Sequence, residues 1–252
     1  MIKEIEDRRS IRKYKPDRVN KTMIEDMIYS ATLAPSAKNR QPWKFIVYQG
    51  DEKDKLVEVM QQGINAEKIS HELMPEWVFA IPDAENTVRI MQEAPCLIAV
   101  LNTNQKTPFS GIENEKRIVE ICDSLSIGAA IQNMILTATG YGLGTLWIAN
   151  TCFAYNDLVD FIGTDCQLTG LVAVGIADES PDKRPRKPFE DIKIISGKRI
   201  IPELNKGIAE DQLSKINKKF SNSIQPREII QDMNRAVNNF VKFYHDFTGN
   251  LI

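Results

Sequence analysis

The stretch APSAKNRQPWKFIV at residues 34–47 joins a helix pattern to a strand pattern through a polar loop between two prolines. Residues 20–34 place apolar side chains on one face of a helix, which the first proline is expected to end. FIVY at 45–48 has the composition of a strand. Ser36 and Asn39 offer short donors and acceptors, so the loop is either a ligand site or a plain connector.

Further elements follow from the same patterns on both sides of this loop. Hydrophobic periodicity predicts helices at 51–62, 115–140 and 155–162, strands at 97–101, 144–149, 168–176 and 192–195, and tail helices at 209–220 and 226–247. Residues 63–93 contain two prolines and are predicted to be irregular, as a lid or pocket wall. The glycines of GYGLG at 140–144 follow a helix and precede a strand, so they are predicted to end that helix rather than to bind a dinucleotide.

Composition narrows the classes of function. The net charge of −2 gives no overall field that would attract nucleic acid or an anionic membrane. No stretch approaches the roughly 20 apolar residues of a membrane span, and the charged beginning of the chain does not resemble a signal peptide, so we expect a cytoplasmic protein. Four separated cysteines and two histidines predict free thiols and no metal site.

Two basic segments are candidate anion sites. In RRSIRKY at 8–14, three arginines surround a serine, and guanidinium and hydroxyl groups suit a phosphate and a polyol. In PDKRPRKP at 181–188, cations lie between prolines that hold the backbone extended. For each segment the alternative is a solvated turn or connector.

Taken together, four segments resemble the nitroreductase family of FMN-dependent oxidoreductases. They are RRSIRKY at 8–14, APSAKNRQPWKFIV at 34–47, AAIQNMILTATGYGLGTLWI at 129–148 and VAVGIADESPDKRPRKPFEDI at 172–192. The resemblance implies an α+β fold, with a mixed, mostly antiparallel central sheet flanked by helices, in an intertwined homodimer. It implies an FMN-binding domain over residues 1–200, followed by a helical extension over 201–252 that packs on the body or on the partner subunit.

The resemblance also implies a set of cofactor-binding residues. They are Arg8, Arg9, Ser10, Arg12, Pro35, Ser36, Asn39, Trp147, Ile148, Arg184 and Arg186. Arg8 and Ser10 would hold the phosphate and ribityl groups of FMN. Arg12 would lie beside N1 and O2 of the ring, where a cation that never loses its proton makes the flavin easier to reduce.

The other implied contacts come from distant parts of the chain. Ser36 and Asn39 would reach an FMN held mainly by the other subunit, and Arg184 and Arg186 would close on its phosphate. The backbone around Trp147 and Ile148 would face the ring near N5. Many members of the family have a different sequence there, often with a glycine.

The activity that the resemblance implies needs no catalytic side chain. FMN would accept hydride from NAD(P)H through N5 and then reduce a nitroaromatic, quinone or similar conjugated acceptor, by a ping-pong mechanism. The alternatives are reductive dehalogenation or substrate oxidation at the flavin, a flavin-binding protein without NAD(P)H turnover, and an interaction protein that uses the helix at 226–247. The acceptor and the preferred nicotinamide stay open.

Overall fold

The computed structural model describes residues 1–193. Within residues 1–185, helices cover both faces of a four-stranded sheet. The helices are α1 (Lys3–Asp7), α2 (Lys21–Thr32), α3 (Gly50–Ser70), α4 (Ile81–Glu93), α5 (Asn114–Gly140), α6 (Tyr155–Ile162) and α7 (Phe189–Ile192). The strands are β1 (Trp43–Gln49), β2 (Cys96–Asn102), β3 (Leu143–Ile148) and β4 (Gln167–Ile176). Short 3₁₀ helices cover Ala37–Asn39, Pro75–Ala80 and Asn150–Ala154. The chain divides into two compact units, Met1–Pro185 and Arg186–Ile252, and α7 lies in the second.

The sheet has the strand order β1-β2-β4-β3, and each neighbouring pair is antiparallel. A parallel bridge between Ser10 and Thr145 adds the N-terminal segment to the outer side of β3. The predicted α+β class, with a mixed and mostly antiparallel sheet between helices, is therefore confirmed.

The sheet separates two hydrophobic cores. Because side chains alternate along a strand, Leu97 and Leu101 of β2 enter one core while Ile98 and Val100 enter the other. The first core contains buried residues of α3, α4 and α6, and the second contains those of α2 and α5. Both faces of β2 are covered, which explains its continuous apolar sequence.

The segment of residues 8–15, here called the arginine segment, is fixed along the sheet. The Ile11 N–H donates to the Thr145 carbonyl at 2.9 Å, and the Lys15 N–H donates to the carbonyl that ends β4 at 2.9 Å. Tyr14 is buried, and its hydroxyl donates to the Ile11 carbonyl at 2.8 Å. Burial, reinforced by the Glu179 carboxylate, raises the pKa of Tyr14 far above its ordinary value, so the phenol stays a donor. The arginines are thus carried by an ordered backbone.

Two sequence predictions are wrong. Residues 63–93 are not irregular, because α3 continues to Ser70 and α4 follows after a connection that includes the 3₁₀ helix Pro75–Ala80. The strand predicted at 192–195 is not formed at its first position, since Ile192 ends α7. The rest of that strand, the helices at 209–220 and 226–247 and the extension at 201–252 lie outside the described residues.

The long helix predicted at 115–140 is confirmed as α5. By length and composition it could cross a membrane, but 44% of its most apolar window is buried inside the fold. Its C-terminal half, with Ile131 and Met134, packs in the second core. Four large apolar residues of its N-terminal half are instead exposed: Ile118 (62%), Val119 (39%), Ile121 (48%) and Leu125 (71%).

The connection between α3 and α4 is held by a buried carboxylate, which yields a first prediction. Glu67 is 3% exposed and accepts the backbone N–H groups of Leu73 and Met74, the latter at 2.8 Å. Glu67→Gln removes the charge and replaces one of the two oxygens that the Leu73 N–H contacts with a donor, so we expect about 1–2 kcal/mol less stability in urea denaturation. The exposed neighbour Glu72 provides the control, and Glu72→Gln should change nothing measurable; equal stability of both variants would contradict this role.

Candidate functional site

A cavity of about 270 Å³ lies where β3 ends, between the arginine segment and α4. Its wall is formed by Arg12, Asp83, Asn86, Thr87, Ile90, Leu146, Trp147, Ile148, Ala149 and Asn150. It joins one guanidinium, one carboxylate, two amides and one hydroxyl to apolar side chains from both α4 and β3. We refer to it as the β3 cavity.

The arginine segment contributes its members unequally to this cavity. Arg12 lines it, and its Nη1 donates to the Ser10 carbonyl at 3.2 Å, while its backbone N–H donates to the Glu179 carboxylate. Arg8 caps the end of α1 and is half-buried. Arg9 turns back, because its Nη1 donates to the Glu6 carbonyl at 2.8 Å. Of the arginines in this segment, Arg12 is the one placed on the cavity wall.

Trp147 and Ile148 reach the same cavity from β3. Ile148 points into the first core, whereas Trp147 is 43% exposed and faces α5. The indole fits against two glycines, since a Cβ on Gly128 would be 3.7 Å from Trp147 Cη2 and one on Gly170 would be 3.5 Å from Nε1. The end of β3 therefore packs beside these glycines on one side and lines the cavity on the other.

The polar residues of α4 were not predicted as part of a site. Asp83, Asn86, Thr87 and Ile90 follow the i, i+3, i+4, i+7 spacing that places residues on one helix face. The sequence signal was present, because Pro82 followed by Asp83 suits the first turn of a helix. Recognising α4 would have predicted a common polar face for these residues.

Asn150 was also missed as a side chain that lines the cavity. Its Nδ2 donates to Thr87 Oγ1 at 2.9 Å and lies 3.5 Å from Asp83 Oδ2. Its Oδ1 is buried and has no hydrogen-bond partner among the described residues. A buried acceptor in this state is rare in folded proteins and usually marks a site that a ligand or water completes.

Pro35, Ser36 and Asn39 lie elsewhere, in a loop that packs against the middle of α5. The Ala37 N–H donates to Ser126 Oγ at 3.3 Å, and Arg40 binds Asp123 of α5. Pro35 and Asn39 are exposed. Within the protomer, these three residues are not among those that line the β3 cavity.

The last two predicted residues lie in the coil after β4. Arg184 is near the end of the first compact unit and Arg186 begins the second, and both are exposed. The cations of PDKRPRKP are thus on the surface.

A second cavity, of about 300 Å³, lies on the α5 side of β3. It includes Trp147, Tyr155 and Gln167, together with Cys152. Burial raises the pKa of the Cys152 thiol, so this cysteine stays protonated at neutral pH and is a poor nucleophile. All four cysteines are free, as the sequence predicted.

The chemistry available in the β3 cavity is binding and charge stabilisation. Arg12 supplies a permanent positive charge, and the amides of Asn86 and Asn150 can hydrogen-bond a polar ring edge. The residues on its wall include no cysteine, serine or histidine that could act as a nucleophile with its base. Such a site suits a ligand that brings its own reactive group.

Comparison with known proteins identifies a matching family and several similar proteins. The model of the Nitroreductase family matches residues 5–176. YfhC of Bacillus subtilis (strain 168), named as an NAD(P)H nitroreductase, is 25% identical over 189 residues, which is 74% of this chain and 89% of that protein. The iodotyrosine deiodinase of Thermotoga neapolitana is 27% identical over 188 residues, or 71% of this chain and 89% of that protein.

Solved structures show the same fold. A BluB-like flavoprotein from Clostridium difficile 630 matches with a TM-score of 0.63 and 24% identity, over 77% of this chain and 97% of that chain. The FMN-dependent nitroreductase NfnB from Mycobacterium smegmatis, in complex with NADPH, matches with a TM-score of 0.62 and 17% identity, over 77% and 96% of the two chains. The resemblance deduced from the four sequence segments is confirmed.

Proposed function

We propose that this chain, which belongs to the nitroreductase family, binds FMN in the β3 cavity and reduces conjugated acceptors with electrons from NAD(P)H. The observation that carries the proposal is the convergence of Arg12, the end of β3 and the polar face of α4 on one cavity. The FMN-dependent neighbours of the fold support the choice of cofactor.

The residues of the cavity fit the pyrimidine half of a flavin ring. That half presents carbonyl oxygens beside an N–H group, so it needs donors and an acceptor on an otherwise apolar wall. Arg12 supplies donors, and the unpaired Oδ1 of Asn150 is an acceptor that a ligand N–H or an ordered water would satisfy. Ile90 and Leu146 supply apolar contacts.

The arginine segment is proposed to hold the rest of the cofactor. Arg8 and Ser10 would bind its phosphate and ribityl groups. Arg9 retains guanidinium donors beyond the Nη1 contacts that it makes with backbone carbonyls. Arg184 and Arg186 would add charge at the phosphate, where guanidinium groups bind in a bidentate manner.

A homodimer is proposed to complete the site. The β3 cavity is slightly smaller than the roughly 300 Å³ at which ligand pockets usually begin, so one protomer offers part of a site. The exposed side chains Ile118, Ile121 and Leu125 on α5 give an apolar face of the kind that a second copy covers. Across such an interface, Ser36 and Asn39 would reach the partner's FMN, with Pro35 shaping the loop.

In the proposed reaction the protein binds, orients and neutralises charge. FMN, when bound, would supply the redox chemistry that links NAD(P)H to the acceptor. Arg12 would stabilise the negative charge that reduction places on the ring, and the backbone of residues 147–149 would hold one face of the ring in place. The apolar parts of the wall would exclude water from the reacting face. The extension at 201–252 is proposed to support the dimer or the site.

Anaerobic reduction tests this function. Purified protein carrying FMN should lose its yellow absorbance rapidly on mixing with NADH or NADPH, and should recover it when a quinone or nitroaromatic is added. Steady-state rates should follow a ping-pong pattern, because both substrates would use the same site in turn. Buffer without nicotinamide is the control, and sedimentation of the same sample measures the dimer. Persistent colour with both nicotinamides would contradict the reductase.

A second candidate is reductive dehalogenation, favoured by the iodotyrosine deiodinase relatives. One of them, from Drosophila melanogaster, is 33% identical over 144 residues, which is 53% of this chain and 47% of that protein. This activity would use the same cofactor and the same cavity with a halogenated phenol as the acceptor. Halide release from iodotyrosine by the chemically reduced protein separates the two candidates, since a plain nitroreductase releases none.

A further inference from the structure

A buried carboxylate on α5 attaches the polar loop of residues 36–42 to the fold. Arg40 donates through Nε and Nη2 to Asp123 Oδ1, at 2.8 and 2.7 Å. Asn104, in the turn after β2, donates to Asp123 Oδ2 at 3.1 Å. The Asp123 side chain is 0% exposed, so it cannot contact a ligand. One carboxylate therefore joins three segments through charge-assisted hydrogen bonds, which are among the stronger kinds.

The backbone of this loop is held in an unfavourable conformation. Lys38, Asn39 and Gln41 have φ angles of 53°, 54° and 47°, in the left-handed region that side chains with a Cβ disfavour. Such residues persist when the surrounding structure fixes them, and they cluster at ligand clamps. Two local hydrogen bonds, from the Gln41 N–H to Ser36 Oγ and from Gln41 Nε2 to Asn39 Oδ1, stay within the loop. The loop is attached to α5 by the bond from the Ala37 N–H to Ser126 Oγ at 3.3 Å and by the two shorter, charge-assisted bonds from Arg40.

We infer that Arg40 and Asp123 form a latch that keeps the loop of residues 36–42 in its strained, binding-competent shape. The inference rests on the proposed function, in which Ser36 and Asn39 of this loop contact the partner's FMN. Arg40 and Asp123 are positioning residues, because Asp123 acts on the cofactor through Arg40 and the loop backbone. Without the latch the loop relaxes, and a smaller fraction of molecules presents both contacts together.

The first test measures FMN affinity in two latch variants, Arg40→Met and Asp123→Asn. Serial dilution of the holoprotein releases FMN, whose fluorescence gives the dissociation constant. If the competent fraction falls to a tenth, the dissociation constant rises about tenfold in both variants. Arg117→Met is the matched control, because it breaks an ion pair of 2.7 Å with Glu120 on the same helix and leaves the loop attached; its affinity should equal that of the wild type.

The second test asks whether relieving the backbone strain at residue 38 restores the FMN affinity that Arg40→Met loses. Lys38 is exposed, and glycine adopts its left-handed conformation without steric cost. Adding Lys38→Gly to Arg40→Met should therefore recover at least about half of the binding free energy that Arg40→Met loses, which is about threefold in affinity for a tenfold loss. Lys38→Gly alone should change affinity less than about twofold. If Asp123 only helped α5 to pack, glycine at position 38 would not restore affinity.

The outcomes separate the latch from the proposed function. If the wild-type protein does not bind FMN, both fail. If it binds FMN and Arg40→Met binds equally well, the latch is overturned and the function stands. If Arg40→Met weakens binding but Lys38→Gly restores nothing, the latch is also overturned, since strain is not what Arg40 opposes. Should Asp123→Asn or Arg40→Met not fold, the double variant Arg40→Met with Asp123→Asn decides, because it removes the ion pair without leaving a buried charge unpaired.

Discussion

Arg12→Met is expected to weaken FMN binding by about 10- to 100-fold, the loss typical of a hydrogen bond to a charged group. Arg12 is the cation on the wall of the β3 cavity, and methionine keeps its apolar stem while removing its charge and donors. The protein that retains FMN should also be harder to reduce. We expect its two-electron midpoint potential to fall by about 30–60 mV, equivalent to about 1.4–2.8 kcal/mol of lost charge stabilisation.

Two variants control this experiment. Lys13→Met removes an exposed cation that does not line the β3 cavity and is not among the side chains proposed to contact FMN, so it should leave both affinity and potential unchanged. Arg12→Lys keeps the charge but loses the guanidinium fork. Its midpoint potential should therefore stay near the wild-type value, while its affinity for FMN should still fall. Fluorescence titration and a spectroelectrochemical titration give the two quantities. A wild-type potential in Arg12→Met would show that Arg12 does not face the reducible ring.

Gly170→Ala is expected to cost about 3 kcal/mol of folding stability, through both steric overlap and backbone strain. Gly170 has a φ of +153°, and a Cβ there would lie 2.6 Å from the backbone carbonyl oxygen of Ile148. A backbone atom in a paired strand cannot move aside, so β3 and β4 must separate beside Trp147. We therefore expect weaker FMN retention along with the lower stability.

Urea denaturation of the matched variants checks this expectation. Gly111→Ala is the control, because a Cβ at Gly111 meets nothing within 4 Å, and its stability should stay within about 0.5 kcal/mol of the wild type. If Gly170→Ala unfolds at the same urea concentration as Gly111→Ala, the end of β3 is more adaptable than this packing indicates.

The helices and strands that the sequence predicted well are those whose burial requires a simple run of apolar residues. β2 is apolar from Cys96 to Leu101 because cores cover both its faces, and the apolar run of α5 continues for many turns. α4 was missed because two prolines were interpreted as breakers. Pro82 in fact lies in the first turn of α4, where a helix needs no N–H donor, so the same residue that suggested a break begins a helix.

The site divides in a similar way. Arg12, Trp147 and Ile148 belong to motifs that the sequence shows directly, and the structure brings them to one cavity. Asn150 and the polar face of α4 required knowledge of how α4 packs on the end of β3. The pairing of Arg40 with Asp123 spans 83 positions, and the left-handed backbone near it falls on residues other than glycine. Neither feature leaves a local pattern.

The parallel bridge between Ser10 and Thr145 has a consequence for solubility. An uncovered outer strand exposes unpaired N–H and C=O groups, to which strands from other molecules can add. The arginine segment occupies this side of β3 at Thr145, and Ile11 fits against Gly144, where any Cβ would approach it to 2.8 Å. The residues proposed to hold the cofactor therefore also shield the sheet from self-association. Loss of this segment would bring aggregation together with loss of colour.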